Sequence, residues 1–348
     1  MIIDVVRPLH RFLVVVAAGV VAVALAVVPS SPAAADSTLG GAAARSGRYF
    51  GAAVQARYLG EAAYTTVLDR EFTSVTPELE MWWEVLQPSR GVWNFAPADR
   101  IVEYAQARGM TVRGRLVASY GIPNWVTSLG SASDVNAALV TFITTVMRHF
   151  QGKVATWDVV GEAFADTSTS PRRPGIFQSR LGDSWIEQAF RAARAADPQT
   201  RLCYNDYGIE DVAKPKTQAV LALVRDFKTR GVPLDCVGLE SHFDYRAFPS
   251  PPNFRPTLQQ FAAYGVDVHM TELDVSDTAS RQAEIYRSAV SSCVAVPRCK
   301  GITVWGIPDH YSWRSGSAPL LFDRYYNKKP AYAATLAGLG MWVTSGGS

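Results

Sequence analysis

The chain has 348 residues, a formal net charge of +3, and ordinary proportions of hydrophobic (48%) and charged (19%) residues. This length suits one α/β barrel of about 250 to 300 residues with little left over. Because so small a charge is spread over the whole chain, there is no basic stripe, and we do not expect a nucleic-acid-binding protein.

The first 35 residues have the pattern of an export signal. Arg7, His10 and Arg11 precede an apolar run over residues 12–28, and Ala33-Ala34-Ala35 supplies the small residues of a cleavage site. We therefore predict a signal peptide over residues 1–35 and a secreted, extracellular protein that is free of the membrane after cleavage. The alternative is an uncleaved anchor, since a run of about 17 residues is near the lower limit for a membrane span.

Residues 36–48 are rich in Gly, Ala and Ser, and we expect them to form a flexible leader. From residue 49 to residue 339, apolar β-branched runs alternate with helical patterns. The predicted strands cover residues 49–54, 72–77, 111–117, 156–160, 201–205, 236–239, 266–271 and 301–307. The main helical patterns cover residues 98–108, 135–150, 185–196, 216–230 and 281–294.

Eight strands that alternate with helices predict a parallel sheet closed into a (β/α)8 TIM barrel, of the α/β class and built as a single domain. An open doubly wound sheet is the alternative, but no G-x-G-x-x-G motif follows any of the strands. Residues 340–348 are expected to be a short tail.

Two acidic residues end buried strands of this predicted barrel. Glu162 follows the fourth strand and Glu272 follows the seventh. Functional groups of such barrels lie where strands end and loops begin, so the two carboxyls should face each other across the barrel mouth. Glycoside hydrolysis needs such a pair. One carboxyl protonates the leaving oxygen, and in retaining enzymes the other attacks the anomeric carbon from about 5 to 5.5 Å away.

Several motifs carry a resemblance to a known family. They are residues 157–164 (WDVVGEAF), residues 205–207 (NDY), Ser241-His242, residues 271–274 (TELD) and residues 304–306 (VWG). Over roughly residues 49–336 the sequence resembles glycoside hydrolase family 10, whose members are mostly endo-β-1,4-xylanases.

The resemblance implies a single catalytic domain with a carbohydrate substrate and no cofactor or metal. It implies that Glu162 is the acid/base and Glu272 the nucleophile. His242 would orient Glu272 by a hydrogen bond, with Asp274 as further catalytic support. Trp305 and Trp313 would shape the sugar platform.

The sequence departs from this family in the sugar-binding pocket. The usual Glu-Asn-x-Met-Lys-Trp segment appears here as residues 78–83 (ELEMWW), and residues 114–119 (GRLVAS) replace a longer segment with histidines and a tryptophan. Leu79, Trp82, Arg115, Ala118 and Gly161 stand at positions that contact xylose in the family, and Glu240 replaces a Gln.

The substrate-binding candidates are therefore Glu78, Trp82, Arg115, Glu240, Trp305 and Trp313. Arg115 and Glu240 are new charges, which either bind a different glycone or pair with each other.

Three functions fit this pattern. The first is a secreted retaining endo-β-1,4-xylanase that degrades xylan through unusual subsites. The second is a family-10-like hydrolase retuned to a plant glycoside or saponin. The third is a carbohydrate-binding protein without turnover, against which the retention of both Glu162 and Glu272 argues. A monomer is expected in each case.

Four cysteines allow three disulfide connectivities. We favour Cys203–Cys236 and Cys293–Cys299, which also look like the two disulfides of the family, and the oxidising compartment of an exported protein supports both. The competing idea is a zinc site, but the sequence has no C-x-x-C pair, and only His242 lies near the first two cysteines.

Overall fold

The computed structural model describes Met1 and residues 38–118, 120–169, 171–244 and 251–340. Nine strands form its sheet. They are β1 (Tyr49–Val54), β2 (Ser74–Pro77), β3 (Thr111–Val117), β4 (Thr156–Gly161), β5 (Arg201–Asp206), β6 (Cys236–Leu239), β7 (His242–Asp244), β8 (Asp267–Ser276) and β9 (Cys299–Val304).

The strands close into a parallel barrel. Their order is β6-β5-β4-β3-β2-β1-β9-β8-β7, and β6 also pairs with β8, which seals the cylinder. The short β7 pairs only with the end of β8 and lies outside the ring of eight. Because every strand pairing is parallel, all strands present their carboxyl ends at one rim, where functional groups of this fold lie. The predicted TIM barrel is confirmed.

Helices connect the strands and surround the barrel. They are α1 (Leu39–Ala44), α2 (Ala62–Glu71), α3 (Trp83–Leu86), α4 (Ala96–Gln106), α5 (Asn124–Thr127), α6 (Ala132–His149), α7 (Ile176–Leu181), α8 (Ser184–Ala196), α9 (Pro215–Thr229), α10 (Pro251–Ala263), α11 (Ala279–Val294) and α12 (Pro330–Gly340). The long ones are amphipathic. In α6, for example, Leu139, Ile143 and Val146 face the core at helical spacing, and each is completely buried.

The prediction of a flexible leader over residues 36–48 is wrong for α1. Thr38 caps this helix by accepting a hydrogen bond from the Gly41 amide at 3.1 Å, and Leu39 and Ala43 are completely buried. The Leu39 amide also donates to Glu71 Oε2 at 3.2 Å. Small residues let this helix pack closely on its neighbours, so a composition that resembles a linker instead serves close packing.

The strands β3 and β4 approach each other closely inside the barrel. A Cβ atom on Gly114 would lie 2.2 Å from the Trp157 ring, so only glycine fits at this position. Beside it, Arg113 and Asp158 form a buried ion pair across the same two strands, with Nε 2.8 Å from Oδ2. These contacts fix β4, the strand that leads to Glu162.

Both predicted disulfides are confirmed. Cys203–Cys236 joins the neighbouring strands β5 and β6, and Cys293–Cys299 joins the end of α11 to the start of β9. Because the sulfurs of Cys203 and Cys236 are bonded to each other, they do not offer the thiolates that a zinc site would require.

The two terminal predictions lie largely outside the described residues. Apart from Met1, the signal peptide of residues 1–35 is not described, nor are residues 341–348 of the predicted tail. The last described helix includes Gly340, the first residue of the predicted tail. Within the described part of the chain, no helix is long and apolar enough to cross a membrane.

Candidate active site

Glu162 lies immediately after β4, at the rim of the barrel. Its φ angle is +55°, a left-handed conformation that is uncommon for a residue with a side chain. The Glu162 amide donates to the Asn205 carbonyl on β5 at 2.9 Å, which holds this conformation. The side chain is 6% exposed and lines a cleft at this rim. Strain of this kind is concentrated at functional sites.

Glu272 lies inside β8. The sequence had instead predicted that Glu272 follows the end of this strand. The strand continues to Ser276 because the short β7 pairs with its last three residues. On the other side, the register with β9 shifts between Met270 and Leu273. Such an irregularity redirects the side chains on a strand. Glu272 stands within it, 3% exposed, and lines the same cleft as Glu162.

Three side chains hold the Glu272 carboxylate. Asn205 Nδ2 donates to Oε1 at 3.0 Å, His242 Nε2 lies 3.3 Å from Oε2, and Arg115 Nη2 lies 3.5 Å from Oε1. Burial raises the pKa of Glu272, but Arg115, His242 and Asn205 outweigh burial and lower the pKa below its ordinary value. Glu272 is therefore ionised and fixed in place.

His242 is charged because two carboxylates surround it. Its Nδ1 lies 3.0 Å from Asp274 Oδ2, an ion-pair contact rather than a well-aligned hydrogen bond. Burial lowers the pKa of His242, but Asp274 and Glu272 more than compensate and raise it to about 9. Asp274 is anchored in turn by Trp313 Nε1 at 2.8 Å and Arg314 Nη1 at 3.2 Å.

The pKa of Glu162 is shifted in the opposite direction from that of Glu272. Burial raises it, and the Glu272 charge adds to the increase, while Arg115 and a hydrogen bond with Tyr120 oppose it. The result is a carboxyl that keeps its proton to higher pH than a free glutamic acid. Two carboxyls on one cleft with oppositely shifted pKa values match an acid and a nucleophile.

Arg115 forms an ion pair with Glu272, at 3.5 Å between Nη2 and Oε1, so the charge of Arg115 is not used by Glu240 alone. Glycone binding by Arg115 and Glu240 stays a prediction. The Arg115 guanidinium also donates to Tyr120 Oη at 2.9 Å. Glu240, 3% exposed, accepts a hydrogen bond from Asn205 Nδ2 at 3.0 Å. Burial, then the charges of Glu272 and Glu162, raise the pKa of Glu240 well above its ordinary value.

The remaining substrate-binding candidates surround a cleft of about 560 Å³. Glu78 accepts from Gln55 Nε2 at 2.8 Å. The Trp82 ring meets the Tyr120 ring edge-on, with the centroids 5.0 Å apart. Trp305 is 6% exposed, whereas Trp313 is 57% exposed at the rim. All six substrate-binding candidates line this cleft, so the structure brings them together with the two carboxyls.

Sequence reasoning missed Tyr120 and Arg173 and gave Asn205 no role. Tyr120 bridges Arg115 and Glu162, and Arg173 Nε donates to the Glu162 carbonyl at 2.9 Å. Asn205 connects Glu272 and Glu240 and is itself fixed by Thr271 Oγ1 at 2.6 Å. Asn205 lies inside one of the family motifs, and this position was the one sequence feature that could have indicated its role. The partners of Tyr120 and Arg173 depend on loop conformation.

Glu240, His242 and Glu272 are close enough to be considered as a cation site, since their ligand atoms lie within 4.8 Å of one another. A histidine that binds a metal must offer a neutral nitrogen. His242 instead has a raised pKa and pairs with Asp274, so this group suits proton and charge chemistry better than metal coordination.

A parallel (β/α)8 barrel with two buried carboxyls of opposite pKa shift at its carboxyl-terminal rim defines the class of O-glycosyl hydrolases. Residues 38–337 match the model of glycosyl hydrolase family 10. The chain belongs to this family.

Characterised relatives agree with this assignment. Endo-1,4-beta-xylanase C of Phanerodontia chrysosporium is 37% identical over 307 residues, which cover 83% of this chain and 76% of the relative. Endo-1,4-beta-xylanase B of Thermotoga neapolitana is 36% identical over 286 residues, covering 78% and 82%. Xylanase 10B of Thermotoga petrophila, solved in complex with xylobiose, superimposes with a TM-score of 0.84 at 35% identity, covering 88% of this chain and 98% of that one.

Proposed function

We propose that this protein is a secreted retaining hydrolase of β-1,4-xylan that acts by double displacement. Glu272 is the nucleophile and Glu162 the general acid/base. One observation carries the proposal. Two buried carboxyls line one cleft, and their surroundings shift their pKa values in opposite directions.

In the first step, a Glu272 oxygen attacks the anomeric carbon and the glycosidic C–O bond breaks. Glu162 gives its proton to the departing oxygen, so the leaving group departs as a neutral alcohol and a glycosyl ester forms on Glu272. The raised pKa of Glu162 supplies the proton, and the lowered pKa of Glu272 supplies the unprotonated oxygen.

In the second step, the charge of Glu272 has been consumed by the ester, so one cause of the raised pKa of Glu162 is gone. Glu162, now ionised, takes a proton from water while the water oxygen attacks the anomeric carbon. The ester bond breaks, and Glu272 leaves as a carboxylate with the configuration of the sugar retained. Asn205, His242 and Arg115 stabilise that carboxylate as it re-forms.

The relatives support xylan as the substrate. Both curated relatives compared above are described as endo-1,4-beta-xylanases, and the solved relative holds xylobiose. The open cleft of about 560 Å³, with Trp305 inside and Trp313 at the rim, can hold several pyranose rings. Aromatic faces of this kind offer surfaces on which sugar rings stack.

A second candidate is a hydrolase whose glycone or aglycone differs from xylan, such as a plant glycoside or saponin. The contacts of two side chains in the pocket, Arg115 and Glu240, favour this candidate. Arg115 forms an ion pair with Glu272 and a hydrogen bond with Tyr120, and Glu240 accepts a hydrogen bond from Asn205. These contacts use groups that could otherwise bind sugar hydroxyls. Each lost hydrogen bond to a sugar hydroxyl costs about 0.5 to 1.5 kcal/mol, so several losses would slow xylan hydrolysis by orders of magnitude.

Export rests on separate observations. The pattern of residues 1–35 predicts a cleaved signal, and two disulfides are typical of proteins that mature in an oxidising compartment. A monomer remains our proposal for the mature enzyme.

The test is to measure kcat/KM on xylohexaose for this protein and for xylanase 10B of Thermotoga petrophila under the same conditions. Proton NMR follows the anomeric configuration of the first product. The proposal predicts that the β product forms first. The altered pocket predicts a kcat/KM at least about tenfold below that of the relative, and a value within about tenfold would exclude the second candidate. A panel of other aryl glycosides and saponins tests the second candidate, which requires one of them to be the better substrate. Binding of xylohexaose without turnover of any glycoside would contradict both.

A further inference from the structure

A second cavity adjoins the catalytic cleft. It has a volume of about 230 Å³ and lies between the loop after β3 and the loop after β4. Tyr120 and Glu162 border both spaces, whereas Glu272, Trp305 and Trp313 border only the cleft. The cavity therefore adjoins the acid/base and not, among the described residues, the nucleophile.

Two of the residues that line this cavity are very small. Ala118 and Gly161 both line it, and both are among the positions where the sequence departs from the resemblance noted above. A Cβ atom on Gly161 would lie no closer than 3.5 Å to any neighbour, at the Asn205 carbonyl oxygen. The backbone therefore does not demand glycine here, and the small size of both residues leaves the space open.

Much of the wall of the cavity is apolar. The apolar residues include Ile122, Ile176, Phe177 and Trp185, of which Phe177 and Trp185 stack with their ring centroids 5.4 Å apart. The wall also has hydrophobic support behind it, since the Phe177 ring stacks on buried Trp83 at 5.8 Å. A ring inserted here would meet carbon surface on several sides.

The polar groups of the cavity are already engaged with protein partners. Arg173 donates to the Glu162 carbonyl and to Tyr207 Oη, at 2.9 and 2.8 Å. Gln178 donates to Asp183 at 2.7 Å and accepts from Trp185 Nε1 at 3.2 Å. A sugar ring would bring hydroxyls that lose water without gaining partners, whereas an apolar ring would not incur that cost.

We propose that this cavity is a subsite for an aromatic ring carried on the leaving-group side of the scissile bond. The proposal rests on the function proposed above, because a group bonded to the oxygen that Glu162 protonates must lie beside Glu162. A dry apolar cavity of about 150 Å³ is enough to bind benzene in another protein, so a space of about 230 Å³ has room for one ring and a short linker.

The experiment compares benzyl β-xylobioside with methyl β-xylobioside. Their leaving alcohols have nearly equal acidity, so the two substrates differ in the ring and not in the need for protonation. We expect the native enzyme to prefer the benzyl compound by at least about tenfold in kcat/KM, because the ring is buried only in the cavity. Ile176→Trp and Ile122→Trp, which fill the cavity from opposite walls, should abolish this preference and leave the methyl compound unaffected.

Val140→Trp provides the matched control, since Val140 is a solvent-exposed residue of α6 that does not line the cavity. It should keep the native preference. Equal kcat/KM values for the two substrates in the native enzyme, or a benzyl preference that survives both filling variants, would overturn the proposed subsite.

A measurement without sugar separates this inference from the proposed function. Benzyl alcohol should bind the native protein at millimolar concentration in ligand-observed NMR, and both filling variants should lose the signal. If neither xylobioside is hydrolysed but benzyl alcohol binds in this way, the xylan proposal fails and the aromatic subsite stands. If benzyl alcohol does not bind, the subsite is wrong whatever the enzyme hydrolyses.

Discussion

At the scale of single residues, the division of labour between the two glutamates follows from their neighbours. Both are buried, which alone would raise the pKa of each. Glu272 has three donors within 3.5 Å, two of them cationic, and these reverse the effect of burial. Glu162 has the charge of Glu272 nearby and retains its raised pKa. In the proposed mechanism, the same type of side chain thus serves two chemical roles.

We predict that Glu162→Ala slows hydrolysis according to the leaving group. Without the acid, an unactivated alcohol must depart as an alkoxide, so kcat/KM on methyl β-xylobioside should fall by about 10² to 10⁴. Nitrophenolate leaves readily without a proton, so the same constant on 4-nitrophenyl β-xylobioside should fall by less than about tenfold. Equal losses on the two substrates would show that Glu162 is not the acid.

Glu240 provides a prediction about pH. Its raised pKa means that it binds a proton to higher pH than a free glutamic acid, and it becomes charged as the pH rises through that value. The charged form would compete with Glu272 for Asn205, which contacts both carboxyls at 3.0 Å. Activity at alkaline pH should therefore require protons on both Glu162 and Glu240.

We expect Glu240→Gln, which is permanently neutral, to retain kcat/KM within a few-fold at acidic pH. The alkaline limb of its log kcat/KM profile should have a slope of about −1, against a slope approaching −2 in the native enzyme. Because Gln keeps the size and one acceptor oxygen, Glu240→Leu serves as the comparison that removes both. A large loss of activity in Glu240→Gln at acidic pH would mean that the ionised form is the active one.

At the scale of secondary-structure elements, most of the barrel could be predicted because nearly all residues of its strands are buried. The runs Thr111–Val117 and Cys236–Leu239 are short and rich in buried residues, which favours strands, and their observed bounds agree with the prediction. The helix α1 could not be recognised in this way, because Gly40, Ala42 and Ala43 give no amphipathic pattern. Its stability comes from contacts with distant parts of the chain.

The candidate site shows the same limit. Glu162 and Glu272 could be predicted because each follows a recognisable apolar run. The pairing of Arg115 with Glu272 could not, since it joins β3 to β8 across the barrel and depends on the tilt of both strands. The extension of β8 past Glu272 likewise depends on β7, which is only three residues long and leaves almost no pattern in the sequence.

We predict that Glu71 holds α1 and the end of α2 against the C-terminal part of the barrel. Glu71 is completely buried and accepts from the Leu39 amide, Arg70, Lys328 and Tyr332. Burial raises the pKa of Glu71, but these four partners lower it below the ordinary value. A lowered folded-state pKa stabilises the protein above the unfolded pKa, and this stabilisation is lost as the pH falls through the folded value.

Glu71→Gln should therefore lower the free energy of unfolding by about 1 to 3 kcal/mol at pH 7. The difference from the native protein should shrink steadily as the pH is lowered below about 4. Urea unfolding at several pH values measures both effects. Glu103→Gln, at an exposed position of α4, is the control and should change little at any pH. A pH-independent loss in Glu71→Gln would contradict the role of its charge.

At the scale of the whole molecule, the barrel provides a rigid frame and the loops determine what is bound. When the ring is followed through β1, four strands separate β4, which leads to Glu162, from β8, which carries Glu272. Along the shorter path, β5 and β6 separate them, and Asn205 on β5 bridges to Glu272. The frame thus fixes the distance between the carboxyls, while the loop after β3 supplies Tyr120.

The most direct test of the account is chemical rescue of Glu272→Ala. Removing the nucleophile should reduce kcat on 4-nitrophenyl β-xylobioside by several orders of magnitude, because nothing else can form the covalent bond. Glu103→Ala, an exposed change far from the cleft, should keep native activity. Added azide should enter the space left by the carboxylate and restore turnover, and NMR should identify the product as the α-glycosyl azide. Near-native activity without azide, or a rescued product of β configuration, would contradict Glu272 as the nucleophile.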